Sequence, residues 1–408
     1  MHRFEHTVVM ITPHGDPLGR IGEPDIGGQC VYVRQLSLEL AKAGRNVIVL
    51  TRDRCDGRPK QEGIVPGAVV MRIPCGPPGF VPKEQLRPFL DEFVENARQI
   101  IPSLPLFHSH YWDGAYVASR LRTHEPWVHT SHSVGKLKRA VVPDDPYGAY
   151  RDRIAIESWA YEDCDVITAL TDRERDNVSA LYDIDVDKIR VTPPGVDTER
   201  FHPIPSKPDL RHALQLPDSP TVLALGRLDP RKGFDLLFEA IGLLRKEGHA
   251  HDLSFVFSSG AGTAEEQAEA DRLSRIVERC GFSSWLTWLP VLDEEKTPLY
   301  YGAADLFVLP SRYEPFGIVM LEAMASGVPP IATLRGGPAK VISHNVDGLL
   351  VNPVDIRATA QAIASLLTDD TRRISMGKAA RQKAVTSYGW DVIAAKNEAV
   401  YAEVSNAR

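Results

Sequence analysis

Short apolar runs separated by amphipathic stretches recur along the chain. TVVMIT at residues 7–12 predicts a buried strand, QCVYVRQLSLELAKAG predicts a helix that ends at Gly44, and NVIVLT predicts the next strand. A strand, a glycine-rich loop, a helix and a second strand form a βαβ unit, in which the strands are parallel. The hydrophobic pattern therefore predicts an α/β chain built on a parallel sheet.

The same alternation runs to residue 195 and then starts again. Further strands are predicted at VVMRIP, FHSH, WVHTSH and DVITAL, with helices at KEQLRPFLDEFVENARQI and near residues 150–163. A second series begins at TVLALGRLDPRKG and continues through LSFVFSSG, SWLTWLP, DLFVLP, PPIAT and GLLV. We predict two doubly wound domains, residues 1–195 and 196–388, and a last helix over residues 389–408.

Composition and charge narrow the class of protein. A chain of 408 residues with 43% hydrophobic and 25% charged residues is typical of a soluble globular protein with two cores. The net charge of −7, with no basic stripe, argues against a nucleic-acid partner. The chain shows no signal peptide and no run of transmembrane length, and its five cysteines are scattered. We expect a cytoplasmic protein without a membrane partner.

The most informative stretch is SRYEPFGIVMLEAMASG at residues 311–327, directly after an apolar strand. Pro315 and Gly317 break the chain before a helix, so Glu314 and Glu322 stand on either side of the helix start. Ligands of open α/β sheets bind at the carboxyl ends of strands, and the free N–H groups of a helix start favour an anion. Each glutamate alone is more simply a solvated or paired charge, but together they predict a binding site.

Two further loops carry groups suited to phosphate. Arg227 and Lys232 in GRLDPRKG follow the first strand of the second domain, where a forked guanidinium and an ammonium could hold a phosphate pair. Gly27 and Gly28 open the first helix and would let a diphosphate approach its N-terminus. A solvated loop and an ordinary tight turn are the simpler explanations of each motif alone.

The first domain contains a basic cluster in an otherwise acidic protein. Its members are Lys136, Lys138, Arg139, Arg151 and Arg153, with Lys83 at a strand-to-helix junction. A solvated face would explain any of them singly. As a set they could bind a phosphorylated ligand through charge-assisted hydrogen bonds of about 1.5–3 kcal/mol each.

The histidines and glycines leave two other classes open. His108 and His110 share one face of a strand, and His129 and His132 lie on the next, but no cysteine or carboxylate completes a metal shell. We therefore favour hydrogen-bonding histidines over a metal site. A dinucleotide-binding oxidoreductase is disfavoured because the G-x-G at residues 260–262 lacks the third glycine of the fingerprint.

GRLDPRKG and SRYEPFGIVMLEAMASG together resemble the large family of retaining, nucleotide-sugar-dependent glycosyltransferases with the GT-B fold, over most of the chain. The resemblance implies two Rossmann-like domains that face a deep cleft, with the acceptor in the N-terminal domain, the nucleotide sugar in the C-terminal domain and the last helix crossing back to the N-terminal domain. The donor residues that it implies are Gly28, Arg227 and Lys232 for the diphosphate, Glu322 for the ribose, and Glu314, Phe316, Gly317 and Ile318 for the sugar and phosphates.

The N-terminal motifs narrow the resemblance. PDIGGQCVYVRQ, HSHYWDG and HTSHSVGKLK are similar to the group that contains sucrose-phosphate synthase and mannosylfructose-phosphate synthase, whose acceptor is fructose 6-phosphate. Carried over, the residues at the fructose ring would be Gly27, Gln29 and Lys83, and those at its phosphate Tyr111, Ser133, Lys138 and Arg153. UDP-glucose is the preferred donor and GDP-mannose the second. No D-x-D-x-T phosphatase motif is present, so we expect a separate phosphatase to act on the product.

The resemblance also implies a mechanism with retention of configuration. Catalytic roles would fall to His132, donating a hydrogen bond near the reacting sugar, and to Arg227, Lys232 and Glu314 at the departing diphosphate. No metal ion and no cofactor would then be required. The alternatives are a glycosyltransferase with a GlcNAc donor and an inositol phosphate acceptor and, outside enzymes, a sugar-nucleotide sensor.

Overall fold

The structure, a computed structural model, describes residues 7–20, 23–103, 105–141, 148–248 and 252–406. The chain divides into two compact units. Unit 1 consists of Met1–Pro194 and Trp390–Arg408, and unit 2 of Gly195–Gly389. The sequence analysis predicted domains over residues 1–195 and 196–388, with a last helix over residues 389–408. Among the described residues, no helix is long and apolar enough to cross a membrane.

Unit 1 alternates strands and helices. In chain order its elements are β1 (Val8–Ile11), α1 (Gly28–Lys42), β2 (Val47–Asp53), β3 (Gln61–Val65), β4 (Ala68–Pro74), α2 (Leu90–Ala97), β5 (Leu106–His110), α3 (Tyr111–Leu121), β6 (Trp127–Thr130), α4 (Gly135–Val141), α5 (Ala149–Asp163), β7 (Val166–Ala169), α6 (Asp172–Tyr182) and β8 (Ile189–Val191). The terminal helix, Trp390–Asn406, packs against α1 and buries Ile393 and Tyr401 in the same core.

The sheet of unit 1 has the order β3-β4-β2-β1-β5-β6-β7-β8 in the described residues. Every pairing is parallel except that of β3 with β4. The expected parallel sheet is confirmed, with one unpredicted antiparallel edge strand. The sequence of β3, QEGIV, has no buried side chain, so it lacks the apolar pattern on which strand prediction depends.

One predicted helix of unit 1 is shorter than expected. The stretch from Lys83 forms two 3₁₀ turns, and the α-helix begins only at Leu90 and ends at Ala97. Pro88 has no N–H to donate to a preceding carbonyl, which disfavours a continuous α-helix through this segment. The turns nevertheless bring Lys83 to the carboxyl side of the sheet, next to Asp25.

Unit 2 repeats the α/β alternation, and its described residues contain no antiparallel strand pair. Its elements are α7 (Lys207–Ala213), β9 (Thr221–Leu225), α8 (Phe234–Glu247), β10 (Ser254–Ser258), α9 (Ala264–Cys280), β11 (Leu286–Leu289), α10 (Thr297–Ala303), β12 (Leu306–Leu309), α11 (Ile318–Ala325), β13 (Pro330–Thr333), α12 (Pro338–Val341), β14 (Leu349–Val351), α13 (Ile356–Leu367) and α14 (Asp370–Tyr388). Its strands have the order β11-β10-β9-β12-β13-β14, all parallel. After α14 the chain returns to unit 1 with its terminal helix, α15 (Trp390–Asn406).

Candidate functional site

The strand order of unit 2 places two loops at a topological switch point. From β9 the chain proceeds to β10 on one side, and β12 pairs with β9 on the other side. The loops that follow β9 and β12 therefore leave the sheet at neighbouring carboxyl ends, where ligands of open α/β sheets bind. These loops are residues 226–233 and 310–317, the two motifs that the sequence singled out.

The two loops are locked together through their backbones. The N–H of Arg312 donates to the carbonyl of Arg231 at 2.8 Å. Gly233 has φ +68°, and a Cβ at this position would lie 2.3 Å from the carbonyl oxygen of Pro310. Only glycine satisfies both conditions, so Gly233 fixes the position of the neighbouring Lys232.

Lys232 and Glu314 form the ion pair at the centre of these loops. Lys232 Nζ lies 2.8 Å from Glu314 Oε2, which also accepts a hydrogen bond from Ser311 Oγ at 3.0 Å. Glu314 is only 6% exposed. Arg227 is exposed, and its guanidinium has no hydrogen bond or ion pair with any residue that the structure describes. The two loops carry four cations, Arg227, Arg231, Lys232 and Arg312, against two carboxylates, Asp229 and Glu314, which leaves net positive charge for an anionic ligand.

A third loop, after β13, holds Glu314 in place. The N–H of Glu314 donates to the carbonyl of Arg335 at 3.1 Å, and the N–H of Gly337 donates to the carbonyl of Glu314 at 2.9 Å. Gly336 has φ +110°, and a Cβ there would lie 2.0 Å from the Glu314 carbonyl oxygen. Sequence reasoning missed this Gly-Gly pair, although two glycines in a loop that begins two residues earlier, at the end of a strand, are a signal of close backbone approach.

The helix α11 begins beside this ion pair. Gly317, with φ +92°, is its N-cap residue, and Ile318 is its first residue. Phe316 is 8% exposed and meets the Tyr388 ring edge-on, with 6.3 Å between centroids. The predicted donor residues from Glu314 to Ile318 therefore surround one helix N-terminus, where free N–H groups favour an anion.

Glu322 lies one turn further along α11 and contacts a buried tyrosine. The hydroxyl of Tyr301 lies 2.9 Å from Glu322 Oε2 and 2.8 Å from the carbonyl oxygen of Val319. Burial raises the pKa of Glu322 to about 7. Tyr301 was missed because its role depends on a contact between separate helices, which a single apolar helix sequence does not reveal.

Unit 1 has its own switch point, between β1 and β5. The chain goes from β1 to β2 on one side, and β5 pairs with β1 on the other. The long loop after β1 leads into α1, with Gly27 as N-cap residue and an exposed Gly28 as first residue. Gln29 donates from Nε2 to Thr12 Oγ1 at 3.1 Å. No side chain caps this N-terminus and no acidic residue lies in its first turn, so its charge is positive and uncompensated.

The predicted phosphate-binding residues come together around Arg153. Its Nε donates to Glu157 Oε1 at 2.6 Å, and its Nη1 donates to the Tyr111 hydroxyl at 2.6 Å. Its Nη2 donates to the Ser133 carbonyl at 2.6 Å and to Ser133 Oγ at 3.1 Å. Arg153 and Glu157 are both buried. The guanidinium is therefore held rigidly, with Glu157 as its counter-charge.

Two lysines add to this cluster. Lys138 Nζ lies 6.0 Å from the centroid of the Tyr111 ring. Burial, together with repulsion from Arg153 and Lys83, lowers the pKa of Lys138 to about 8. Lys83 forms an ion pair with Asp25, to which its own N–H also donates at 3.1 Å. We call Lys83, Tyr111, Ser133, Lys138 and Arg153 the basic cluster of unit 1.

Three cations of the predicted set do not belong to this cluster. Lys136 donates from Nζ to the carbonyl of Leu181 at 2.6 Å, at the end of α6. The side chain of Arg151 is 84% exposed and is paired with its neighbour Asp152. Arg139 is exposed on α4. Among the described residues, Arg153 and Lys83 are the cations whose repulsion lowers the pKa of Lys138.

A carboxylate–imidazole pair at the switch point of unit 1 was also missed. His14 Nδ1 lies 2.7 Å from Asp113 Oδ2, which also accepts the N–H of His14 at 2.9 Å. Asp113 is fully buried, and the His14 ring meets the Tyr111 ring with 5.0 Å between centroids. The signal was a histidine after β1 and an aspartate after β5, since both strands end at the switch point.

The backbone is strained at two predicted site residues. Tyr111 has φ +67° and His132 has φ +55°, both in the left-handed region that non-glycine residues rarely adopt. Such conformations cost of order 1–3 kcal/mol and cluster at functional sites. The strain at both positions supports their choice as site residues.

The four histidines of β5, of β6 and of the loop directly after β6 each have a hydrogen bond, to one another or to the core. His108 contacts the Tyr401 hydroxyl at 2.7 Å through Nδ1 and Thr130 Oγ1 at 2.8 Å through Nε2. His110 Nδ1 lies 2.9 Å from His132 Nε2. Within the described residues, no group of three or more histidine, cysteine, aspartate or glutamate side chains could hold a metal ion.

Comparisons with known proteins cover both units. The family model described as "Glycosyl transferases group 1" matches residues 206–383, and that described as "Glycosyltransferase Family 4" matches residues 26–200. D-inositol 3-phosphate glycosyltransferase of Xylanimonas cellulosilytica is 33% identical, over 98% of this chain and 97% of the relative. Mannosylfructose-phosphate synthase of Agrobacterium fabrum is 34% identical, over 85% of this chain and 80% of the relative. Sucrose-phosphate synthase from Thermosynechococcus elongatus has a similar structure, with a TM-score of 0.83 and 30% identity over 99% of this chain and 100% of that one.

Proposed function

This chain belongs to the glycosyltransferases of group 1 and family 4 with the GT-B fold, and we propose that it moves a hexose from a nucleotide sugar to a phosphorylated sugar. The preferred donor is UDP-glucose and the preferred acceptor fructose 6-phosphate, which would give sucrose 6-phosphate. A separate phosphatase would then remove the phosphate. As a glycosyltransferase, the protein is an enzyme, so the sensor alternative is not pursued.

The observation that carries this proposal is the basic cluster of unit 1. Arg153 and Lys83 have carboxylate partners in Glu157 and Asp25, whereas Lys138 is repelled by both cations, so an anionic ligand beside Lys138 would be stabilised. The rigid guanidinium of Arg153 and the adjacent Lys138 provide the geometry and the charge that a phosphate monoester needs. Lys83, Gly27 and Gln29 would bind the sugar ring, and Tyr111 and Ser133 would complete the phosphate site.

The donor residues are proposed in unit 2. Arg227 and Lys232 would neutralise the diphosphate, with the N-terminus of α11 below it. Glu322 would accept hydrogen bonds from the ribose hydroxyls, and Gly28 would allow close approach of the diphosphate. In this proposal the phosphates replace Glu314 as a partner of Lys232, which frees Glu314 to bind the sugar hydroxyls.

We propose transfer with retention of anomeric configuration. The bond between the anomeric carbon and the diphosphate breaks, the acceptor hydroxyl oxygen bonds to the same face of that carbon, and the hydroxyl proton passes to the leaving diphosphate. Catalysis would consist mainly of positioning and of electrostatic stabilisation by Arg227 and Lys232, without Mg²⁺. His132 would donate a hydrogen bond to the transferred hexose.

A second acceptor is supported by the relatives. The inositol 3-phosphate glycosyltransferase named above covers nearly the whole of this chain, and inositol phosphate is also a phosphate monoester of a polyol. The basic cluster would suit its phosphate equally well. The mannosylfructose-phosphate synthase likewise supports GDP-mannose as the second donor with fructose 6-phosphate as acceptor.

The test is nucleotide release from a panel of donors and acceptors. UDP-glucose, GDP-mannose and UDP-GlcNAc are each combined with fructose 6-phosphate, inositol 3-phosphate and unphosphorylated fructose, with and without EDTA. We expect UDP release with UDP-glucose and fructose 6-phosphate, unaffected by EDTA, and NMR of the product should show the α-linkage of the donor retained. Turnover only with unphosphorylated fructose would contradict the assignment of the basic cluster, and turnover only with inositol 3-phosphate would establish the second candidate.

A further inference from the structure

We infer that His110 is a positioning residue that fixes the tautomer of His132, so that His132 presents a permanent N–H donor to the transferred hexose. The inference rests on the role of His132 in the proposed function. It adds a residue that has no part in that proposal, and it follows from the number of protons available to two neighbouring imidazoles.

The two rings share a single hydrogen bond. His110 Nδ1 and His132 Nε2 are 2.9 Å apart, and the ring centroids are separated by 5.2 Å. His110 is fully buried, and burial lowers the pKa of both histidines well below the usual value. Both rings are therefore neutral at physiological pH, and each carries one ring proton. The bond between them contains one of these protons, and either ring can supply it.

The other nitrogen of His110 decides between the two arrangements. His110 Nε2 is buried and has no hydrogen-bond partner among the described residues. If His132 donated, the proton of His110 would be on this nitrogen, and a buried N–H would be left without an acceptor. Orphaned buried N–H groups are rare because they lose the full solvation of the donor. The favoured arrangement is therefore donation from His110 Nδ1–H to the lone pair of His132 Nε2.

This arrangement determines what His132 offers to a substrate. With its Nε2 accepting, the proton of His132 is on Nδ1, and this nitrogen is a hydrogen-bond donor. The ring is also held in place: its backbone has φ +55°, and Tyr32 meets it edge-on at 5.2 Å between centroids. A fixed, neutral N–H matches a sugar hydroxyl oxygen without adding charge to the site.

A second contact holds His110 itself. Its ring lies 4.2 Å from that of His108, between centroids. Both nitrogens of His108 are bonded, one to the Tyr401 hydroxyl and the other to Thr130 Oγ1. The packing of His110 against this fixed ring limits its rotation, so its Nδ1 stays directed at His132.

The tautomer can be read directly in the wild-type protein. Selective ¹⁵N labelling of histidine, with assignment by the His132→Gln variant, distinguishes a protonated ring nitrogen from one with a lone pair. We expect the proton of His132 on Nδ1 and that of His110 also on Nδ1, between pH 6.5 and 8.5. A spectrum with the His132 proton on Nε2 would overturn the inference. This measurement needs no substrate, so it stands even if no donor and acceptor pair is turned over.

Two variants of equal shape test the consequence for catalysis. An amide in His110→Asn can still donate to His132, whereas the carboxylate in His110→Asp can only accept and forces the His132 proton onto Nε2. We expect H110D to lose kcat about tenfold or more at pH 8, as one hydrogen bond to the sugar is lost, while H110N stays close to wild type. As the pH falls, the carboxylate stabilises a His132 imidazolium, which carries both protons, so H110D should regain activity.

His129 offers the matched control. It is fully buried on the adjacent strand and, like His110, has a ring nitrogen with no hydrogen-bond partner in the described part of the chain, but its bonded nitrogen contacts Ser109 Oγ. His129→Asn and His129→Asp should therefore change melting temperature without an opposite pH dependence of kcat. Equal kcat values and equal pH profiles for H110N and H110D would contradict the inference. If H110D does not fold, the nitrogen spectrum of the wild type decides.

Discussion

The two switch points hold their cations in opposite ways. In unit 1, Arg153 is buried with Glu157, and every donor nitrogen of its guanidinium has a partner in the unit itself. In unit 2, Lys232 is partly exposed and paired with one carboxylate, and Arg227 is exposed. A buried pair is costly to break because a charge is left without solvent, whereas an exposed pair contributes little to stability. The basic cluster of unit 1 is thus part of the fold, and the cations of unit 2 are largely independent of it.

The largest effect is expected at Arg153. Replacing it with methionine leaves Glu157 buried without its counter-charge and should lower the free energy of unfolding by about 3–5 kcal/mol. It should also raise the KM for the phosphorylated acceptor. Thermal unfolding and acceptor kinetics measure the two effects. Adding Glu157→Gln should restore much of the stability but not the acceptor KM; restoration of both would remove Arg153 from the acceptor site.

Lys232 should behave in the opposite way. In the proposed function the charge of Lys232 stabilises the departing diphosphate, so Lys232→Ala should lower kcat by about 10²–10³. The melting temperature should change little because the ion pair with Glu314 is partly exposed. Arg231→Ala is the matched control, since that neighbouring side chain is 78% exposed and paired with Asp229. A Lys232→Ala variant with a clearly lower melting temperature but an unchanged kcat would refute the catalytic role of Lys232.

Lys138 separates phosphate binding from sugar binding. Lys138→Met should raise the KM for fructose 6-phosphate about tenfold or more and leave that for fructose unchanged, since in the proposed function the ammonium binds only the phosphate. The pKa of Lys138 is lowered to about 8, so its charge is complete below this pH and is lost as the pH rises through 8. The KM for the phosphorylated acceptor should therefore rise above pH 8. Lys136→Ala, which is directed to Leu181, should reproduce neither effect.

The smallest effect concerns Glu322. The single hydroxyl proton of Tyr301 is shared between Glu322 and the carbonyl oxygen of Val319, so it stabilises the Glu322 carboxylate only in part, and burial favours a proton on Glu322. With a pKa of about 7, this proton is bound below pH 7 and lost above it. Nucleotide-sugar binding should weaken severalfold from pH 8 to pH 6, where a neutral carboxyl accepts less well. Calorimetry on Glu322→Gln should show weak binding independent of pH; a pH dependence equal to that of wild type would exclude Glu322 as its source.

Sequence motifs located much of the candidate site. GRLDPRKG and SRYEPFG lie in the loops that the sheet of unit 2 brings to its switch point, and Tyr111, Ser133, Lys138 and Arg153 converge as the resemblance implied. These positions were predictable because each motif follows a strongly apolar strand. The strand β3 was not predictable, because it lies at an exposed edge and its sequence has no apolar pattern.

The sequence by itself determined the α/β class, the succession of buried strands along the chain and which loops carry charge. All three depend on the local spacing of apolar and polar residues. Only the tertiary structure decided which side chains contact one another. It paired His14 with Asp113 across 99 positions, set Tyr301 on Glu322 and enclosed Glu314 with Gly336. It also separated Lys136 from Lys138, two residues away, because successive helix positions point in different directions. Burial and hydrogen bonding then determined the surroundings of each charged side chain, and both depend on residues that are distant in sequence.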